Sequence, residues 1–360
     1  MSFDLNTLPV PTWNHLGVNR APDRAALPDT PAGGWGTTNT RYDALPAGCA
    51  CRPVLPLACA RGVSGLGAEA DKYIRSSATF HRFYQADGTA KAPIRLYEHL
   101  DAEHPNAVTH TALHAQENAC VTWVQVITAD EDAGGVSASL TQIAAERGAR
   151  VRLIQVTLLP HACRRYNAVA VRCEAGARVD IVRAEPGAGV LVSGARFALE
   201  GDGSACSLDA VYYGDGDGLL DFNDVAVHTG RGTTSDLTTA GVLTGRAEKL
   251  LRGTIDFKRG AVRGVGHEQE DVILFSPDVR NRTAPLILCA EENVEGQHAA
   301  TIGRLDEDML YYLSSRGLSE TDARRMLVEA RFSPILDKIP DAQLRSQVRD
   351  DIGRRLDHDA

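Results

Sequence analysis

Between Ala119 and Glu295 apolar and polar residues alternate in brief runs bounded by Gly and Asp. RVRLIQVTLL (150–159), NAVAVRC (167–173), ARVDIVRA (177–184), GVLVSG (189–194), ARFALE (195–200), CSLDAVYY (206–213), FNDVAVHT (222–229), GTIDF (253–257), EDVILF (270–275) and PLILC (285–289) each predict a strand only a few residues long. Two-residue alternation is plain in Arg178–Arg183 and Phe222–His228, which predicts one buried and one solvated face for those strands. Helical periodicity is nearly absent here; SASLTQIAAERGA, from Ser137, is the one helical candidate.

Many short strands separated by turn residues fit a sandwich, an up-and-down barrel or a β-helix. Strand brevity and glycines recurring at corners, as in GAGVLVSGARF and GRAEKLLRGTIDFKRGAVRG, favour a β-helix with coils of roughly 20 residues or more. No strict repeat is visible. Upstream of about Asn106 the chain is rich in Pro and Gly, then mixed, with IRLYEHLDAEH (94–104) reading as helical; this region looks peripheral to the core.

Beyond Leu305 the pattern turns helical. Asp306 can cap a helix with Glu307 and Asp308 in its first turn, Met309, Tyr312 and Leu313 on one face, and Gly317 as its left-handed stop. Ser319–Asp322 resembles a capping box opening a second helix, with Ala323, Met326, Leu327 and Ala330 as its stripe. Pro340 suits the first turn of a third, whose Leu344, Val348, Ile352 and Leu356 share a face and whose Asp351 and Arg355 are placed to pair. The expected organisation is a mixed region with helices and loops (1–118), a β core (119–304) and a helical domain (305–360). Helices of this kind need a surface to pack on, part of it offered by a partner.

Composition narrows the function. A net charge of -9 with no basic stripe argues against a nucleic-acid partner. No uncharged apolar run is long enough to span a bilayer and MSFDLNTLPVPTWNHLGVN lacks a signal-peptide pattern, so the expected location is cytoplasmic, away from membranes. Eight cysteines are too sparse for a disulfide framework and predict free thiols. Cys49, Cys51 and Cys59 read best as small packed residues, since further metal-type neighbours are missing. His267 with Glu268 and Glu270 resembles a hard-metal cluster but is expected on a solvated strand face.

Nothing here predicts an enzyme. The sequence has no Gly-x-x-x-x-Gly-Lys, Gly-x-Ser-x-Gly or His-Glu-x-x-His, and GDGDG at Gly214 lacks a strand-to-helix context. A β-helix also suits a carbohydrate lyase or hydrolase, with carboxylates such as Asp221 and Asp224 on an exposed face, or a structural partner protein with no metal role.

HAATIGRLDEDMLYYLSSRGLSETDARRMLVEARF (298–332) resembles the C-terminal signature of the SufB/SufD family of iron-sulfur cluster assembly proteins. KLLRGTIDFKRGAVRGVGHEQEDVILFSPDVRNRTAPLIL and LPVPTWNHLGVN are similar to further family segments. The resemblance implies a mainly β fold, a right-handed parallel β-helix core with an N-terminal mixed region and a C-terminal helical subdomain. It also implies a non-catalytic role: pairing through the β-helix with a SufB-like scaffold subunit or a second copy, and docking of a SufC-like ABC-type ATPase through the C-terminal helices, with Tyr311, Tyr312 and Arg316 among the contacts. No cofactor is expected to be held tightly by the isolated chain; a transient iron-sulfur cluster or iron belongs to the assembled complex.

Departures from the family pattern weaken cluster ligation. Asp278–Pro285 has no cysteine where the scaffold-type subunit carries one, and Ala299 replaces the Glu that follows its histidine. Gly296-Gln297-His298 stands in place of the D-type Cys-Ser-His, while Ala-Thr-Ile-Gly leans to the D type. His298 keeps two readings: a hydrogen-bonded interface residue among small neighbours, or, as the resemblance implies, a ligand for iron or a cluster. Cys289 is expected as a buried strand residue.

Overall fold

The computed structural model describes residues 3–12, 14–304 and 307–358, with the backbone alone at 307, 309 and 358. The cap expected at Asp306, the Met309 side chain and Trp13 of the N-terminal motif lie outside the described residues.

The chain winds as a parallel β-solenoid of about eight turns. Its strands are β1 (Asn39–Tyr42), β2 (Cys49–Arg52), β3 (Phe80–Ala86), β4 (Ile94–Leu100), β5 (Asn106–Ala115), β6 (Cys120–Ala129), β7 (Val136–Ala145), β8 (Arg150–Leu158) and β9 (Arg164–Cys173). They continue as β10 (Arg178–Glu185), β11 (Val190–Leu199), β12 (Ala205–Gly214), β13 (Leu219–His228), β14 (Thr234–Leu243), β15 (Glu248–Phe257), β16 (Gly264–Leu274), β17 (Arg280–Cys289) and β18 (Val294–Arg304). Even-numbered strands from β4 to β18 stack in parallel as one sheet, odd-numbered strands from β3 to β17 as the other, and β1 and β2 close one end antiparallel. The helices are α1 (Leu57–Ala60), α2 (Ala68–Ser77), α3 (Glu307–Ser315), α4 (Glu320–Leu336) and α5 (Ala342–His358).

The corners explain the recurring glycines. Asn118, Gly148, Gly176, Gly203, Gly232 and Gly260 all take positive φ, 27 to 30 residues apart, so a left-handed residue recurs at the same corner of successive coils. Coils are thus longer than about 20 residues, and from β5 onward strands run 8 to 11 residues rather than a few. GVLVSG and ARFALE fuse into β11, because Gly194 tolerates the extended backbone and its missing side chain makes room for Gly65 and Leu66 outside it. The segments read as helical, 94–104 and 137–149, contribute β4 and β7 instead. Their apolar residues fill a stacked interior, and in-register pairing with neighbouring coils outweighs local helix propensity.

Three layers of packing follow. Between the sheets, Tyr84, Trp123, Leu153, Ile181, Phe197 and Leu208 form an apolar column. Outside the even sheet, Val156, Val182, Val211 and Val242 receive Val328, Phe332 and Ile335 of α4 and Leu344, Val348, Ile352 and Leu356 of α5. Outside the odd sheet, Leu5, Ala25, Leu27 and α2 cover Leu140, Ala168 and Val192. The N-terminal region is therefore part of the core, not peripheral. Because both sheets are covered outside, Phe222–His228 is buried on both faces rather than half solvated.

The helical expectations hold in part. Gly317 has φ +90, Ser319 accepts from the Asp322 amide at 3.1 Å, and the α5 stripe is buried as read. On α4, however, the buried face runs through Ala323, Val328, Phe332 and Ile335, leaving Met326 exposed, because the sheet's ridge of valines sets the helix rotation. Pro340 precedes α5; Asp341 caps it, accepting from the Gln343 and Leu344 amides at 3.1 Å each.

Candidate functional site

The solenoid ends on two strands that have a neighbour on one side only. β17 borders the odd sheet and β18 the even sheet; among the described residues no further coil lies above them, so β17 is mostly half-buried and β18 exposed along nearly its whole length. Parallel register stacks like on like, so the inward residues can be followed coil by coil. Trp123, Leu153, Ile181, Leu208, Leu237, Glu268 and His298 form one such column. His298 is its last member, exposed at the mouth, between the small residues Gly296 and Ala300. Cys289 ends the inward column that runs through His228 and Phe257. It is exposed, against the expectation of burial, since among the described residues no strand lies beyond β17 to cover it.

Below the mouth the interior is polar and ionised. The Arg183 guanidinium pairs with Asp224 at 2.7 Å and Glu185 at 3.2 Å, the Asp224 carboxylate also accepts from the Ala195 amide at 3.1 Å, and Asn167 donates to Glu185 at 3.1 Å. One coil nearer the mouth, Lys249 pairs closely with Glu270, which also accepts from Tyr212 at 3.3 Å and from Thr283 of β17. Farther from the mouth, Glu98 and Arg165 share Ser137, at 2.6 and 2.9 Å. Buried charges of this kind persist only when paired and hydrogen-bonded.

Glu268 stands apart from these pairs. It is 6% exposed, its Oε2 has no hydrogen-bond partner, and burial, then Glu270 and Asp224, push its carboxyl up to about 8. Glu268 and Glu270 thus lie inside the solenoid, not on the solvated face expected for them; only His267 of that trio faces outward, 3.1 Å from Asp236. The three do not converge.

Asp221 and Asp224 are likewise buried rather than exposed. Asp221 pairs with Arg252 at 2.7 Å and accepts from Asn6 at 2.7 Å, while Arg252 Nε donates to the Val18 carbonyl at 2.6 Å, so this pair staples the N-terminal segment to the odd sheet. Neither aspartate is open to a saccharide, so these two carboxylates are not on the exposed face that a lyase or hydrolase reading gave them. Of the N-terminal cysteines, Cys59 is packed as expected, Cys49 is half-buried and Cys51 is exposed on the edge strand β2; all eight thiols are free.

Tyr311, Tyr312 and Arg316 lie on and just after α3. Tyr311 is 79% and Tyr312 53% exposed, the Arg316 guanidinium stacks over the Tyr312 ring at 5.2 Å, and Leu313 is buried. Farther along, α4 and α5 enclose a cleft of about 390 Å3, floored by Phe332, Leu336 and Gly353 and rimmed by Arg325, Glu329 and Arg349. The sequence did not single out this cleft, whose floor needs residues from two helices, nor the buried ion chain, whose partners lie on different strands and meet only across the interior.

No helix among the described residues is long and apolar enough to cross a membrane. Comparison with known proteins agrees with the architecture. The family model described as SUF system FeS cluster assembly, SufBD core domain, matches residues 99–331. The chain is 27% identical over 158 residues to the iron-sulfur cluster assembly protein SufD of Bacillus subtilis, covering 44% of this chain and 36% of that protein. It is 25% identical over 201 residues to a SufBD family protein of Mycobacterium bovis, covering 52% and 24%, and 22% identical over 251 residues to one of Staphylococcus epidermidis, covering 69% and 54%. The chain thus spans between about a quarter and about half of the length of these relatives. With nearly two thirds of its length matched by the family model and the solenoid to go with it, the chain belongs to the SufBD family of iron-sulfur cluster assembly proteins.

Proposed function

We propose that this chain is a non-catalytic subunit of a Suf-type assembly complex. It pairs through its open solenoid end with a SufB-like scaffold subunit or a second copy, and docks a SufC-like ATPase through its C-terminal helices. The uncapped pair β17 and β18 carries this reading: two edge strands of 10 and 11 residues, with Ile302 49% exposed, form a surface that a second β-sheet can extend. The exposed aromatic pair Tyr311 and Tyr312, with Arg316, has the composition of an interface anchor. His298, at the mouth, would meet iron or a cluster once the partner is seated, since one imidazole alone is too small a ligand set.

The test is anaerobic co-purification of the full chain with the ATPase and scaffold subunits, followed by iron and sulfide analysis. Retention of both partners is expected, with ATPase capture lost on truncation from Leu305. Capture of neither partner, or ATPase binding that survives the truncation, would overturn the corresponding half. ATP hydrolysis that follows this chain's own concentration across a gel-filtration peak would overturn the non-catalytic assignment.

A further inference from the structure

We propose that the cleft between the sealed end of the even sheet and the first turns of α5 is a binding site for a small organic anion with a flat apolar body. Such a ligand goes beyond the subunit role and does not depend on it.

Register opens the cleft. The outward columns that the terminal helices cover, Val182, Ile154 and Val124 in one and Ala184, Val156 and Val126 in the next, continue into β4 as Arg95 and Tyr97. On β1, the antiparallel strand that closes this edge, Arg41 is the in-register neighbour of Tyr97. The apolar sheet face under the helices thus turns polar at its last two strands. Between those strands and the start of α5 lies a cleft of about 530 Å3, floored by Val124, Val126 and Leu344 and walled in part by Arg41, Arg95, Tyr97, Gln343 and Gln347.

The polar groups around this floor are short of partners. The Arg41 guanidinium lies over the Tyr97 ring, 4.5 Å from its centroid, and forms no ion pair among the described residues. Arg95 reaches Asp341 only at 3.5 Å, and that carboxylate is already committed to the Gln343 and Leu344 amides, at 3.1 Å each. Asp43, the other carboxylate near the ring, is exposed to solvent. Among the described residues the Tyr97 hydroxyl and the Gln343 and Gln347 carboxamides make no hydrogen bond. His99 is occupied, bonding to Thr128 at 2.8 Å and Asp130 at 3.1 Å.

An apolar floor with a few convergent polar groups is the make-up of a small-molecule site, and the volume is that of an ordinary ligand pocket. A guanidinium laid over a ring keeps its N–H fork free in its own plane, where a carboxylate fits through two parallel hydrogen bonds. The anionic group meets Arg41 and Arg95, the flat body lies on Val124, Val126 and Leu344, and the carboxamides take remaining polar atoms. A neutral ligand leaves both guanidinium groups unanswered, and a cation is repelled by them.

The probe is naphthoate, titrated into the full chain at low salt and followed by calorimetry, with naphthylmethanol as its uncharged counterpart. One naphthoate per chain is expected, and the alcohol is expected to bind at least about tenfold more weakly. Arg41→Glu is expected to weaken naphthoate binding at least about tenfold, and Arg41→Lys, which keeps the charge and loses the fork, by a smaller factor. Arg41 is exposed, so both variants keep the fold, which unchanged thermal midpoints verify. Arg349→Ala, on the rim of the cleft between α4 and α5, is expected to bind as wild type does. No saturable binding by wild type, equal affinity for the alcohol, or wild-type affinity in Arg41→Glu overturns the proposal. Binding lost in Arg349→Ala and kept in Arg41→Glu assigns the ligand to the other cleft and overturns it as well.

Discussion

At one end of the solenoid, β1 and β2 run antiparallel to β4 and β3, and the column beneath them, Tyr84, Ile94 and Trp123, is sealed. At the other end β17 and β18 follow the same coil geometry with nothing above them, and Ile302, Cys289 and His298 stand in the open. A parallel coil offers a fresh edge after every turn, so a chain that stops must reverse direction, cover the edge or leave it for another molecule. This protein does the first at one end; at the other, among the described residues, the edge is neither reversed nor covered. The difference separates burial that completes the fold from exposure that the proposed pairing would fill.

Truncating each end tests that separation, with the largest effect at the sealed one. Trp123 is fully buried, edge-to-face with Tyr84 at 5.5 Å between ring centroids. Trp123→Ala is expected to cost about 3–5 kcal/mol in urea denaturation. An equal loss from truncating Ile302 would break the comparison.

Covering also governs protonation. Burial drives His110 and His228 down to about 4; His110 bonds to Gln142 at 2.9 Å, and His228 to Thr233 and Ser235 at 2.8 and 2.9 Å. Their pKa is lower in the fold than in the unfolded chain, so their contribution is complete above about 6.5 and is lost as pH falls from there towards 4, by about 3 kcal/mol for each ring. His161 behaves oppositely. Hydrogen bonds to Asp215, then Asp217, lift it to about 9, so its contribution is present below about 6.5 and fades as pH rises through 9. Urea midpoints are expected to fall steeply between pH 6.5 and 5; a flat profile there would mean that the buried rings are less shielded than their packing implies.

The smallest effect on folding and the sharpest on assembly belong to the open end. Ile302→Lys is expected to change monomer stability by about 0.5 kcal/mol or less, as an exposed position should. It should weaken association with a scaffold subunit or a second copy at least about tenfold, read by sedimentation, because a charge is placed in an interface core. Unchanged association would show that the mouth is not the pairing surface.

The expectations drawn from sequence fared differently by kind. β-Helix architecture was legible from corner glycines, because a left-handed corner is a local demand that few residues meet, and the C-terminal helix stripes from Leu344 to Leu356 were legible because 3.6-residue periodicity is local too. Strand length, the strands at 94–100 and 136–145, and the rotation of α4 were not, since each is set by residues a full coil or a whole sheet away. Position 298 could be singled out as a histidine among small residues, but not that it ends a column above an unpaired carboxyl.

Sequence by itself determined that this chain makes corners, short-period strands and three terminal helices, because those follow from backbone conformations available to each residue and its near neighbours. Only the tertiary structure decided that Asp221, Asp224, Glu268 and Glu270 are buried while Cys289 and His298 are exposed. Inward and outward alternate along every strand with the same two-residue period, and which of them water reaches depends on the coil above, the N-terminal segment around the odd sheet and the helices laid on the even one.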